Sequence, residues 1–353
     1  MSVRGLLRRL FGRPTVVVPL PATVATDSAP PDDPPERPDD WGDEAPALEL
    51  VEAGWWVPRG EPVLAPPQGN GDGQGVHGPL AEYLERLFHD PNLDLPTLPR
   101  VPHRALMMLR DPNVDYGKLA AVVKEDPATA ADVLRVANSA AYGRLFKVAG
   151  LETAFVRLGR RTVRSILMAT ALKRLTIRTG GTKRTLGEEL WQQAIVSGVL
   201  LGQIGRRYAM QEDEAFLLGL LHDIGKLALL RILHEYHKTQ GGTLSRAIFE
   251  GVCAQWHEPL GLRLASAWKL TYPLPAIIGN HHGQPDESDP LYLHRLLVQF
   301  ADVTCVMLGY GPYVPYDFFA LPCVRGLGIE DADRWQNWLT CVPALIAEQA
   351  GVF

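Results

Sequence analysis

LLGLLHDIGKLALL, residues 217–230, places His222 and Asp223, then Gly225 and Lys226, inside an otherwise apolar run. The flanking leucines predict burial. A buried imidazole or carboxylate is costly unless it meets a metal, a charge partner or a full set of hydrogen bonds. Further groups of the same kind recur downstream: His257, the pair His281 and His282, and Asp302 within the apolar run Leu291 to Leu308. Their repetition raises the question of whether one site gathers them.

Around this stretch the periodicity is helical. PLAEYLERLFHD brings Leu80, Tyr83, Leu84, Leu87 and Phe88 to one face. A helix over 102–111 follows a proline-punctuated entry, and Asp115 opens another through Lys124. Asp126-Pro127 reads as an N-cap and first-turn proline of a helix that ends at Gly143. Residues 151–159 and 160–175 form a short and a longer helix, and GGTK at 180–183 precedes a long one over 185–208. Helices near 243–251, from His257 to Leu270 and from Leu291 to Leu308 complete the set. No useful length alternates with a strand's period, so the fold class is all-α.

The first part of the chain differs in kind. Residues 1–13, MSVRGLLRRLFGR, set leucines and Phe11 against arginines as a basic amphipathic segment, which reads as a frayed, solvated terminus or as a weak contact with a membrane surface or a partner. Prolines and acids then dominate to about Gly78, the composition of a disordered linker. Trp55 and Trp56 interrupt it as a piece that docks on the body or serves recognition. The tail, 311–353, ends in an amphipathic helix over 331–350. A net charge of -5 gives no global drive toward nucleic acid. Arg157, Arg160, Arg161 and Arg164 make a local basic stretch, which reads first as a solvated face and second as a nucleic-acid contact. The four cysteines lack metal-knuckle spacing and read as buried thiols of a reducing cytoplasm. No apolar run reaches the roughly 18 residues of a membrane span.

LPTLPRVP at 95–102, LAAVVKEDPATAADVLRVANSAAYG at 119–143 and LETAFVRLG at 151–159, followed by GLLHDIGKLAL at 219–229, HEPLG at 257–261 and HH at 281–282, resemble the HDOD proteins, the "HD-related output domain" family of bacterial signalling. The resemblance implies a helical domain over 79–310, with an N-terminal helical half at 79–178 and a degenerate HD-type half at 184–310. It implies a regulatory module with signalling partners, among them cyclic-di-GMP, kinase or motility components, and kinship with metal-dependent HD phosphohydrolases. In those enzymes a first His precedes the HD pair and a later Asp completes the set. His222, Asp223 and Asp302 match that pattern, and His257, His281 and His282 match the extra ligands of two-metal relatives. Gln193 stands where the first His would be, and no Gly-Tyr-Pro element follows the His pair. An amide is a far poorer transition-metal ligand than imidazole. The expectation is therefore a non-enzymatic protein without a cofactor. If the site works as an enzyme, it takes Fe, Mn or Mg and uses His222, Asp223 and Lys226.

Each residue also has a structural reading. His222 and Asp223 can bond to each other and fix the turn before Gly225. His257 can accept from the backbone at a helix N-terminus, and His281 and His282 can serve the last carbonyls of a helix. Lys226 can meet a phosphate or pair with an acid.

Overall fold

The computed structural model describes residues 78–308, apart from 91, 140–141, 143–145, 178–185 and 284–285, together with 310, 318–329, 338 and 342. The basic segment, the proline-rich linker, Trp55-Trp56 and the helix expected over 331–350 lie outside the described residues. All regular structure among the described residues is helical.

The first helices are α1 (Pro79–His89), α2 (Arg100–Met108), α3 (Tyr116–Lys124), α4 (Pro127–Ala137) and α5 (Leu151–Ile177). Asp115 and Asp126 cap α3 and α4 as expected, each accepting from two backbone N–H groups of the first turn. Helix α4 stops at Ala137 rather than at Gly143. Asn138 causes the stop: its amide nitrogen donates to Leu134 O and Val148 O while its oxygen accepts from Val148 N, folding the chain back. Gly159, at φ 75°, breaks α5 between the two helices read from the sequence.

The second set comprises α6 (Leu186–Gly205), α7 (Glu212–Leu221), α8 (Ile224–Gln240), α9 (Arg246–Ala267), α10 (Leu274–Ile278), α11 (Tyr292–Met307) and α12 (Pro322–Gly326). One correction matters for the site. The helices expected near 243–251 and from His257 are one helix, α9, with Pro259 inside it. Proline removes only its own N–H bond. The buried face through Phe249, Val252, Leu260 and Leu264 holds the helix together across the gap.

A continuous apolar core joins the two sets, from Leu84 and Phe155 through Leu167 and Leu200 to Leu229 and Leu264. Polar ties cross between them. Thr162 donates to Asp213 Oδ2 at 3.1 Å, Ser165 to Asp213 O at 3.3 Å, and Trp268 Nε1 to Pro96 O at 2.8 Å. The basic stretch is spent in the same way. Arg157 donates to Ala137 O and Phe146 O, Arg160 to Leu109 O and Arg161 to Gln211, while Arg164 is half-buried. Three of the four guanidiniums thus tie elements of the body together, although Arg161 stays exposed as the solvated-face reading had it.

Candidate functional site

The apolar run of α7 ends at Leu221 and α8 begins at Ile224, so His222 and Asp223 form the joint between two buried helices. Helix α8 then meets α9 backbone to backbone. A Cβ on Gly225 would lie 1.8 Å from His257 O and 2.8 Å from Gly261 N. Only glycine permits that approach, which places Asp223 beside His257. The turn after α10 supplies His281 and His282, and α11 supplies Asp302. His222, Asp223, His257 and His281 are buried, Asp302 is half-buried and His282 is exposed.

Three of these histidines are held alike. Nδ1 of His222 lies 2.7 Å from Gly219 O, that of His257 2.5 Å from Cys253 O, and that of His281 3.2 Å from Ile278 O. A carbonyl oxygen can only accept, so each Nδ1 carries a hydrogen and each Nε2 turns inward. His222 Nε2 lies 2.8 Å from Asp302 Oδ1 and 3.4 Å from Asp223 Oδ2. His257 Nε2 and His281 Nε2 are 3.3 Å apart and 3.7 Å and 3.5 Å from Asp223 Oδ1.

Charge divides the cluster in two. Burial alone would push the His222 pKa down, but Asp302 and Asp223 outweigh it and hold it up at about 10, an imidazolium. Burial likewise opposes ionisation of Asp302, yet His222 keeps its carboxyl down at about 2. Asp223 stays well below the usual carboxylate range, against burial, because of Lys226 and His222. Lys226 Nζ sits 2.5 Å from Asp223 Oδ2. His257 is different: burial holds it neutral, well below the ordinary imidazole value. Its bare Nε2 therefore faces Asp223 Oδ1 with no hydrogen between them.

Two buried carboxylate oxygens, Asp223 Oδ1 and Asp302 Oδ2, have no hydrogen-bond partner. Ligand atoms of Asp223, His257, His281 and His282 lie within 4.8 Å of one another, as do those of His222, His281 and Asp302. Histidines pinned through Nδ1 to carbonyls, with orphaned carboxylate oxygens opposite, are the arrangement that holds a transition metal. The residues present therefore fit a divalent cation. Their mixed imidazole and carboxylate donor set suits Fe, and through its carboxylates Mn, better than Mg, which takes oxygen ligands in near-octahedral geometry.

The structure gathers His222, Asp223, Lys226, His257, His281, His282 and Asp302 into one neighbourhood. Lys226 pairs with an acid, Asp223, whereas His222 bonds to Asp302 and only approaches Asp223, at 3.4 Å, instead of forming the His222–Asp223 hydrogen bond of the structural reading. His281 Nδ1 serves the last carbonyl of α10 and its Nε2 joins the cluster. The helix-start reading of His257 is wrong. It lies inside α9 and donates to the carbonyl one turn back. Gln193 is half-buried on α6, one turn before Ser197, whose Oγ lies 3.2 Å from Cys305 Sγ on α11. Cys253, Cys305 and Cys323 are buried free thiols, as expected. Sequence reasoning missed Glu258, Arg295 and Gln299, which bond the turn carrying the His pair. The one available signal was the shared stripe of Arg295, Gln299 and Asp302 on a single helix.

The family model described as HDOD domain matches residues 95–284, more than half of the 353 residues. The chain belongs to the HDOD family. Its fold is similar to that of an HDOD domain protein with unknown function from Geobacter sulfurreducens, at 22% identity and a TM-score of 0.56, over 77% of this chain and 95% of that one. A protein from Shewanella amazonensis SB2B, provisionally assigned as a metal-dependent phosphohydrolase, is 21% identical at a TM-score of 0.49, over 74% of this chain and 97% of that one. At 22% identity the Geobacter sulfurreducens likeness speaks to the fold alone. An uncharacterized protein of Treponema pallidum (strain Nichols) is 25% identical over 232 residues, which are 62% of this chain and 44% of that protein. The HDOD chain thus spans less than half the length of that relative. Among the described residues no helix is long and apolar enough to cross a membrane.

Proposed function

We propose that this HDOD chain is a non-enzymatic signal-transduction module of the bacterial cytoplasm that acts by docking partner proteins. The observation that carries this reading is the commitment of the HD pair. Asp223 Oδ2 is taken by Lys226 and His222 Nε2 by Asp302, so two carboxylates are matched by an imidazolium and an ammonium inside the fold. A hydrolytic centre needs a coordination position open to water and substrate, and Gln193 brings an amide where the enzymes bring imidazole. Phe146 and Val156 meanwhile leave exposed apolar side chains before and on α5 that a partner could cover.

The test is a phosphodiesterase assay. Protein purified without chelator is supplied with Fe2+ or Mn2+ and offered bis-(p-nitrophenyl) phosphate and cyclic dinucleotides. No turnover above the buffer control is expected from the natural chain. Turnover that Asp223→Ala abolishes would overturn the reading.

One observation favours a second reading, a metal-dependent phosphohydrolase. The carbonyl-held histidines and the orphaned oxygens of Asp223 and Asp302 form a fitting cation cage. Bound there, a divalent metal would make a water acidic enough to act as nucleophile near neutral pH. Stoichiometric Fe or Mn together with turnover supports that enzyme. Tight metal without turnover, with turnover appearing only in Gln193→His, marks a cage that keeps its cation after losing its chemistry.

A further inference from the structure

His281 and His282 stand outside regular structure, since α10 ends at Ile278 and α11 begins only at Tyr292. Side chains hold their turn instead. Gln299 Nε2 donates to His281 O at 2.8 Å and to Gly283 O at 3.0 Å. Arg295 donates through Nη1 to Asn280 O and through Nε to Asp289 Oδ2 at 2.8 Å. From α9, Glu258 Oε1 accepts from His282 N at 2.8 Å. Arg295, Gln299 and Asp302 follow the i, i+4, i+7 spacing and so share one stripe of α11. The helix that delivers Asp302 thus also grips the main chain of the histidine turn. Both partners of Gln299 are carbonyl oxygens, so only the nitrogen end of its amide satisfies them.

We infer that Gln299 is a positioning residue for the cation site. It clamps the main chain on both sides of His282, so that the His281 and His282 rings, 4.2 Å apart between centroids, meet the His257 ring edge to face at 5.1 Å and 5.0 Å. It acts through the turn and is not itself a ligand. The inference rests on the cluster's capacity to hold a cation and is indifferent to whether that cation does chemistry.

Two measurements on the full chain decide it. The first is Co2+ titration followed by visible absorption. The second is 15N imidazole NMR of the metal-free protein, with thermal melts as a control for folding. Gln299→Leu removes the donor. Gln299→Glu keeps the length and adds a negative charge, which by itself would tighten cation binding. Removing a group that orients metal ligands costs about tenfold or more in affinity. Both variants are therefore expected to bind Co2+ at least about tenfold more weakly while the melts show them still folded at the temperature of the titration. The His281 and His282 ring signals should shift or multiply most, with smaller changes at His257 and His222, whose rings lie 5.1 Å from that of His281. Unchanged Co2+ affinity in both variants overturns the inference. If the natural chain takes up no Co2+, the cation reading falls on its own, and the ring signals alone decide the clamp. Unaltered His281 and His282 signals then refute it, and altered ones sustain it.

Discussion

Asp126 and Asp223 are both carboxylates at the start of a helix, and the fold treats them differently. At Asp126 both oxygens are consumed. Oδ1 accepts from Ala128 N at 3.2 Å, Thr129 N at 3.4 Å and Arg174 Nη2 at 3.1 Å, while Oδ2 accepts from Thr129 Oγ1 at 2.9 Å and from Arg174 Nη1. At Asp223 one oxygen is taken by Lys226 and the other faces two imidazole nitrogens at 3.5 Å and 3.7 Å with no hydrogen bond. The first is a finished structural joint. The second retains capacity for a ligand, and unfinished satisfaction in a buried place is where function is to be sought.

That contrast can be broken at several points. Gly225→Ala should have the largest effect. It drives a methyl group into His257 O and should cost more than about 3 kcal/mol in urea unfolding, since neither backbone can yield. An alanine tolerated there would mean the α8–α9 seam is looser than drawn. Asp302→Ala in chelator-treated protein should cost about 3 kcal/mol, because it strips the buried His222 of its nearest counter-ion. A gain in stability instead would mean that the two carboxylates repel each other until a cation arrives, which would sharpen the contrast with Asp126.

Asp126→Ala removes a cap and an ion pair and should cost about 1–2 kcal/mol. Its pH signature is definite. The hydrogen bond from Arg174 leads the groups that hold the Asp126 carboxyl down at about 2, against burial, from an ordinary 3.8. A depressed folded pKa stabilises above the unfolded value, and the gain disappears as pH falls through the folded one. The difference between natural and Asp126→Ala proteins should therefore narrow from pH 3.8 down to about 2. A difference that persists below this range would leave the cap geometry, not the charge, as the cause. Arg100→Ala should have the smallest effect, with a urea midpoint indistinguishable from the natural chain. Arg100 is 79% exposed, and Glu125 keeps its closer bond to Arg104.

Much of this was legible in the sequence. Helical periodicity, the Asp126-Pro127 start and the isolated Asp302 on an apolar run each signalled their place, because each rests on neighbours within a turn or two. What escaped depends on distant partners. Asn138 ends α4 by bonding Val148, ten residues on. Arg160 reaches Leu109 across the body, and three of the four arginines that looked like a charged face tie elements together. Pro259 suggested a break in α9, yet the buried residues on either side outweigh one missing bond. The site followed the same rule. Its ligand types stood out as polar letters in apolar runs, whereas Gln299 and Glu258 bond backbone atoms that no spacing in the sequence reveals.

The glycine contact between α8 and α9 also has a mechanical consequence. With no side chain between them, these two helices have nothing to slide on, and a push on either carries Asp223 and His257 along as one rigid piece. The histidine turn hangs from that piece by the Glu258 bond and from α11 by those of Gln299 and Arg295, all of them side-chain contacts, so displacement caused by a docked partner would be taken up there. Slower amide exchange at Gly225 and Gly261 than across residues 280–283 would be the mark of such a division, and equal rates would argue against it.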